Sequence, residues 1–95
     1  MKLFQLFIIS PDAVLYDAQV DYISVPGTQG YLGILAGHQP MITTLKPGDF
    51  RISKPGSPVI TFKTSFNGLL EISSSKVSVL LGAEDNQIGL KLKGS

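Results

Sequence analysis

The sequence predicts an all-β fold, a flattened antiparallel β-sandwich of about 8–10 short strands. Three observations lead to this prediction. Apolar and polar residues alternate over many short stretches, which is typical of strands that bury one face. Turn signals rich in proline, glycine, serine and asparagine separate these stretches at intervals of roughly 8–12 residues. No window of roughly 11–18 residues has the spacing of an amphipathic helix.

Length and composition indicate one ordinary globular domain over residues 1–95. Hydrophobic residues make up 43% of the chain, which is too many for a disordered protein. The sequence has no cysteine, so disulfides and thiolate chemistry are excluded. The net charge of +1 gives no electrostatic footprint for nucleic acid. Because no apolar run approaches the roughly 20 residues of a membrane span, we expect any membrane contact to be indirect, through partner proteins.

The N-terminal part of the chain predicts two stretches of extended backbone. Alternation over Phe4–Ile9 predicts the first strand, and Ser10-Pro11-Asp12 is a turn signal. Between Val14 and Val25 the apolar residues change parity. Since a one-residue slip turns every side chain to the other face, we expect a bulge or a corner near Asp21-Tyr22. We expect Pro26-Gly27 to end the strand.

A glycine-rich stretch, Gly27–Gly48, follows and holds five of the ten glycines and the only histidine. A glycine every three or four residues opposes a helix, because each costs about 1 kcal/mol relative to alanine. We interpret the stretch as an ordered, strongly turned loop system on a β scaffold. Its apolar residues are numerous for a loop, and any that remain exposed would form a patch that binds a partner. They are Tyr31, Leu32, Ile34, Leu35, Met41 and Ile42.

The rest of the chain predicts alternating strands that are joined by short polar turns. These strands are Asp49–Lys54, Val59–Thr64, Leu69–Ser73, Val77–Leu81 and Ile88–Lys93. Connections this short favour antiparallel pairing.

Residues that could carry chemistry are sparse, and we predict no catalytic, cofactor-binding or metal-binding residue. His38 is the only histidine, and no second titratable group stands near it in the sequence. The glycines Gly27, Gly30 and Gly33 do not have P-loop spacing, and no helix follows them. His38 is then either a loop residue bonded to the backbone or part of a protein interface. The alternative for the whole chain is a small β-domain ligand-binding module or a hydrolase centred on His38.

The stretch Gly30–Gly48 resembles the signature of the epsilon subunit of F-type ATP synthases, which is Gly-x-Leu-Gly-Ile-x-x-Gly-His-x-Pro followed by Lys-Pro-Gly. Four flanking segments are similar to segments of that family in the same order. They are Phe4–Ser10, Val20–Gly27, Asn67–Ile72 and Lys76–Leu80. The resemblance covers residues 3–83 and concerns the N-terminal β-sandwich domain of the family.

This resemblance implies a non-catalytic rotor subunit in the central stalk, without a cofactor. One face of the sandwich would dock on the gamma subunit and one end on the membrane c-ring, which couples ion-driven rotation to ATP synthesis. The location would be peripheral, on the cytoplasmic face of the bacterial inner membrane. Carried over by position, the ring-facing residues are Gly27, Thr28, Gln29, Gly30, Tyr31 and Leu32. The gamma-facing residues are Ser10, His38, Met41 and Thr43.

Two departures from the family pattern modify these expectations. The family often has an acidic residue where Tyr31 stands, so we expect an aromatic rather than a charged contact with the ring. Most members also continue into a C-terminal pair of helices, whereas this sequence ends at Ser95 and alternates like a strand over Ile88–Lys93. We therefore expect a single β-sandwich domain over residues 1–95, with no C-terminal helical hairpin to insert into the catalytic head.

Overall fold

The computed structural model describes residues 2–82, and these form nine β-strands. The strands are β1 (Phe4–Ile9), β2 (Val14–Val20), β3 (Tyr22–Gly27), β4 (Gly30–Leu35), β5 (Met41–Leu45), β6 (Gly48–Ser53), β7 (Ile60–Thr64), β8 (Gly68–Ile72) and β9 (Lys76–Leu81). The all-β prediction is confirmed for this part of the chain. The strand predicted at Ile88–Lys93 lies outside the described residues.

The strands form one hydrogen-bonded sheet that curls into two layers. We call the layer with strand order β2-β1-β9-β8-β5 sheet 1, and the layer with order β4-β3-β6-β7 sheet 2. The layers are joined where Gly27 at the end of β3 pairs with Leu45 at the end of β5. Next to this pair, the backbone N–H of Lys46 donates a hydrogen bond of 2.9 Å to the carbonyl of Pro26. The predicted sandwich is therefore closed at one edge by the backbone itself.

One strand pairing corrects the prediction of a purely antiparallel sandwich. β1 and β9 run parallel, with Leu6 opposite Val77 and Ile8 opposite Val79. Every other pairing within residues 2–82 is antiparallel. Short turns determine the relative direction only of strands that follow each other directly in the chain. β1 and β9 do not follow each other, so the lengths of the turns could not predict how they pair.

The expected change of parity near Asp21 is the corner where the chain passes between the layers. Val20 is buried in sheet 1 and Ile23 is buried in sheet 2, although their parities differ. The backbone N–H of Asp21 donates to the carbonyl of Ser53 at 3.0 Å and fixes the crossing. The chain also has a β-bulge, which lies earlier, in β2, where Leu15 is the extra residue opposite the end of β1.

The interpretation of Gly27–Gly48 as a loop system is wrong for most of its length, because it contains β4 and β5. The alternation of β4 is hidden in the sequence because Tyr31 and Leu35 add apolar residues on its outward side, where Gly33 makes room for another side chain. A Cβ at Gly33 would lie 2.9 Å from the hydroxyl of Tyr22. Only Gly30 and Gly37 in this stretch have a positive φ.

Pro26 and Gly27 are the last two residues of β3, so the strand ends where the sequence predicts, although both residues still belong to it. The carbonyl of Pro26 accepts its hydrogen bond from Lys46, and in an extended strand the nitrogen of the same residue faces the same side. On that side the pairing of β3 with β6 has already stopped at Ser24 opposite Arg51. The N–H that proline lacks is therefore not needed for the ladder at this point.

The hydrophobic core lies between the two layers and holds sheet 1 and sheet 2 against each other. Phe50 of β6 is fully buried and stacks on Phe62 of β7, with 4.9 Å between ring centroids and 12° between ring planes. Burying an apolar side chain of this size contributes roughly 1.5–3 kcal/mol. The other buried apolar core residues are Phe4, Leu6, Ile8, Val20, Ile23, Val25, Ile34, Leu45, Ile52, Leu70, Ile72, Val77, Val79 and Leu81.

Candidate functional site

The six residues implied as ring-facing lie together in the β3–β4 hairpin. Gly27 pairs with Gly30, so Thr28 and Gln29 form a two-residue turn at the end of the sandwich. Neither turn residue has a positive φ. The residue after the turn, Gly30, has a positive φ of 127°. A Cβ at Gly27 would lie 2.7 Å from the carbonyl oxygen of Gly30, which is closer than real Cβ contacts. The turn can be this tight only because Gly27 has no side chain.

Only part of this hairpin is available to a partner. Thr28 and Gln29 are exposed at the turn, and Tyr31 is 57% exposed. Gly27 is buried, and Leu32 is half-buried because it packs on the core. The hairpin therefore presents the turn and one face of an aromatic ring.

The phenol of Tyr31 lies on the outer face of sheet 2. Its hydroxyl accepts a hydrogen bond of 3.3 Å from the backbone N–H of Asp49. A Cβ at Gly48 would lie 3.4 Å from the same hydroxyl and 3.0 Å from Pro26. Pro26 stands opposite Tyr31 in the ladder and has outward parity, yet it is fully buried. The phenol thus extends from β4 across Pro26 to the start of β6.

The four residues implied as gamma-facing lie at two opposite corners of sheet 1. Ser10 follows β1 and accepts a hydrogen bond of 3.1 Å from the N–H of Ala13 in the turn to β2. His38 lies in the connection before β5, which begins at Met41. The ladder partners of Met41 run through β8 and β9 to Leu6, near the start of β1. Ser10 is therefore at the other end of the sheet, with two strands between β1 and β5.

Met41 and Thr43 are half-buried and share the inward parity of Leu45. Thr43 stands opposite the buried Leu70, and Met41 packs against the core. Both residues thus lie at the open edge of the sandwich rather than on its outer face. The outward-facing residues of β5 are Ile42 and Thr44, and both are exposed.

An apolar patch that the sequence analysis missed lies between these two corners. We call it the sheet 1 outer patch, and it consists of Phe7, Ile9, Ile42, Leu69 and Leu80. Ile9, Leu80 and Leu69 are consecutive ladder partners across β1, β9 and β8. Ile42 on β5 is 66% exposed, and the other four residues are half-buried. Four strands at about 4.8 Å spacing make the patch about 14 Å wide.

The sequence does carry a signal for this patch. β1, β8 and β9 carry some apolar residues at the positions that face away from the core, namely Phe7, Ile9, Leu69 and Leu80. A strand of a solvated sheet alternates with polar residues on its outer side. Apolar residues at these outward positions are therefore unusual for a solvated face.

His38 is exposed and is bonded to the backbone of its own loop. Its Nδ1 lies 2.9 Å from the carbonyl oxygen of Gln39 and is the donor, because a carbonyl only accepts. Its backbone N–H donates to the carbonyl of Leu35 at 3.3 Å. Shallow depressions of about 460 and 300 Å³ lie on the outer face of sheet 2, around Tyr22.

The family model for the β-sandwich domain of the ATP synthase delta/epsilon chain matches residues 3–84. The chain belongs to this family. The resemblance found in the sequence is therefore confirmed, and the two-layer fold is that of the family's β-sandwich domain.

Two curated members of the family illustrate the relationship. The chain is 32% identical over 92 residues to the ATP synthase epsilon chain 2 of Nitrobacter hamburgensis, which covers 97% of this chain and 66% of that protein. It is 38% identical over 85 residues to the ATP synthase epsilon chain of Bacillus pumilus, covering 90% of this chain and 63% of that one. The chain thus spans less than two thirds of the length of these relatives.

Solved structures share the fold at low sequence identity. One is a chain of the mitochondrial ATP synthase of Euglena gracilis, from a structure of OSCP, F1 and the c-ring, with a TM-score of 0.77 and 18% identity, covering 97% of this chain and 62% of that one. Another is a chain of the central stalk and c-ring of the Tetrahymena thermophila mitochondrial enzyme, with a TM-score of 0.70 and 15% identity, covering 83% and 63%. Within residues 2–82 of this epsilon-family chain, no helix is long and apolar enough to cross a membrane.

Proposed function

We propose that this chain is the β-sandwich part of a rotor subunit in the central stalk of an F-type ATP synthase. It links the gamma subunit to the membrane c-ring, couples ion-driven rotation to ATP synthesis and catalyses no reaction of its own. The observation that carries this proposal is the family match over residues 3–84. The fold supports it, because a two-layer sandwich with short turns is a stiff body suited to transmitting torque.

The gamma subunit docks on the sheet 1 outer patch in this proposal. The patch mixes apolar and polar side chains, because Ser78 and Glu71 stand between Phe7 and Ile42 in one row of the sheet, next to the apolar row of Ile9, Leu80 and Leu69. Protein interfaces commonly combine apolar contacts with polar groups in this way. Ser10 and His38, which the family resemblance assigns to gamma, lie at the two ends of this surface.

The c-ring meets the β3–β4 hairpin at the end of the sandwich. The turn residues Thr28 and Gln29 are exposed, and the close pairing of Gly27 with Gly30 leaves the turn little freedom. A rigid projection of this kind transmits a displacement instead of absorbing it. The subunit is then peripheral to the membrane, on the side where the catalytic head lies, which in bacteria is the cytoplasmic face.

Binding to the cognate gamma subunit tests this proposal. We expect the wild-type chain to bind gamma with nanomolar to micromolar affinity, the usual range for an interface of standard size. Ile42→Glu places a charge in the proposed interface and should weaken binding by more than about tenfold. Val59→Glu is the matched control, because Val59 is 54% exposed and lies between β6 and β7 in sheet 2. Isothermal titration calorimetry measures all three affinities.

Two results would contradict the proposal. One is the absence of a complex between wild-type chain and gamma at tens of micromolar, where a standard interface gives measurable binding. The other is an equal loss of affinity in the Ile42 and Val59 variants, which would move the gamma interface away from sheet 1.

A further inference from the structure

The β3–β4 hairpin is fastened to β6 by the side chain of Tyr31. Within residues 2–82, β4 pairs with β3 alone, so the described ladder supports the hairpin from one side. The hydrogen bond from the N–H of Asp49 to the phenolic hydroxyl adds a link across β3 to the next strand. The phenol is therefore engaged within its own chain at the position where the family resemblance predicts a contact with the ring.

Three neighbours surround this side chain. Pro26 is fully buried although its parity is outward. Gly48 has no Cβ, and a Cβ there would crowd Pro26 at 3.0 Å and lie 3.4 Å from the Tyr31 hydroxyl. Asp49 directs its backbone N–H to that hydroxyl instead of to another strand. A ring that packs on proline and ends in a satisfied hydroxyl loses little side-chain freedom when a partner arrives.

We propose that Tyr31 is a positioning residue that fixes the direction of the Thr28–Gln29 turn, and that this turn, rather than the phenol, meets the neighbouring subunit. The identity of that subunit as the c-ring rests on the function proposed above. The position of Tyr31 on its own sheet does not depend on the proposed function. The contact is then made by the side-chain amide of Gln29, because the hydroxyl of Thr28 lies 3.5 Å from the hydroxyl of Thr44 in its own chain.

Hydrogen exchange on the free 95-residue chain tests the fastening directly. Tyr31→Phe keeps the ring on Pro26 but removes the hydroxyl, so the amide of Asp49 should exchange about fivefold faster, as expected for one lost hydrogen bond. Tyr22→Phe is the matched control, since Tyr22 lies on the same face and its hydroxyl lies near Gly33. This control should leave the exchange of Asp49 unchanged. Unchanged exchange in Tyr31→Phe would overturn the inference.

Binding to the purified cognate c-ring separates positioning from direct contact. Gln29→Ala should lower the affinity about tenfold while leaving the exchange at Asp49 as in the wild type, because it removes a contact and not the fastening. Tyr31→Ala should also lower the affinity about tenfold, because the turn then has to be ordered on binding. Tyr31→Phe should lose less affinity than Tyr31→Ala, because its ring still lies beside Pro26 although the hydrogen bond to Asp49 is gone. Circular dichroism confirms that each variant is folded.

The possible outcomes distinguish this inference from the proposed function. If Tyr31→Phe binds as weakly as Tyr31→Ala although the exchange at Asp49 is unchanged, the hydroxyl contacts the ring directly and the inference is wrong. If Tyr31→Ala binds as the wild type does, Tyr31 does not position the turn. If the wild-type chain does not bind the c-ring at all, the proposed contact with the c-ring is wrong. The exchange rate of the Asp49 amide then decides by itself whether Tyr31 fastens the hairpin.

Discussion

Individual glycines in this protein differ in which neighbouring atoms a side chain at their position would meet. Gly27 and Gly33 both lie in the β3–β4 hairpin, and neither has a positive φ. A Cβ at Gly27 would meet the backbone carbonyl of Gly30, whereas a Cβ at Gly33 would meet the far end of the Tyr22 side chain. A backbone atom can move only with its strand, but a phenol can rotate away. The same substitution should therefore have different costs at the two positions.

We expect Gly27→Ala to lower the free energy of unfolding by about 2–3 kcal/mol, because the added methyl forces the two strands apart. Gly33→Ala should cost less than about 1 kcal/mol, because Tyr22 can shift and alanine disfavours the unfolded state. Urea unfolding followed by circular dichroism measures both values. Equal costs at the two positions would show that the carbonyl of Gly30 does not limit the hairpin.

Replacing His38 distinguishes the stalk function from the hydrolase alternative. Because it is exposed and bonded only to its own loop, His38→Ala should change the free energy of unfolding by less than about 0.5 kcal/mol. In a stalk subunit the variant keeps its fold and at most weakens binding to gamma. In a hydrolase it would abolish turnover. An assay with activated esters on the wild type and the variant measures the difference, and turnover that disappears with His38 would contradict the stalk reading.

At the scale of elements, the junction between the layers depends on very few backbone hydrogen bonds. Lys46→Pro removes the N–H that bonds to Pro26, while Leu45 before it stays in the extended conformation that proline favours. We expect a cost of about 1–2 kcal/mol for the lost bond and the carbonyl left unpaired. Lys46→Ala keeps the N–H and should cost less than about 0.5 kcal/mol. Urea unfolding compares them, and equal stability would mean that the junction does not depend on this bond.

The elements also show what the sequence could and could not predict. β1, β8 and β9 were predictable because their inward residues alternate without interruption. β4 was not, because its outward positions carry the apolar Tyr31 and Leu35, which hide the alternation, and its glycines are typical of a loop. The parallel pairing of β1 with β9 was not predictable either, since it joins strands far apart in the chain.

The same distinction applies to the candidate site. The ring-facing residues could be placed together from the sequence because they are consecutive, and the structure brings them into one hairpin. The link from Tyr31 to Asp49 joins strands on either side of β3 and has no local signal. Ile9, Leu80 and Leu69 form one row of the sheet 1 outer patch only once three strands are paired. Local spacing carries no information about such a row.

At the scale of the whole molecule, both layers share one continuous core, so neither can lose its packing alone. We expect a single cooperative unfolding transition, as is usual for a small domain with one core. Tyrosine fluorescence, which reports Tyr22 and Tyr31 in sheet 2 and Tyr16 in sheet 1, should change at the same urea concentration as circular dichroism at 218 nm. Two separate midpoints would show that the layers unfold independently.

The parallel pair has a consequence for how the protein is made. β1 leaves the ribosome first, yet its neighbour on one side is β9, the last strand of the described region. Until β9 has been synthesised, the nascent β1–β2 hairpin has an unfilled edge and an uncovered apolar surface. Such contacts between distant parts of a chain form slowly and leave the intermediate open to aggregation. We therefore expect the growing polypeptide to need shelter, from a chaperone or the ribosome surface, until translation has passed Leu81.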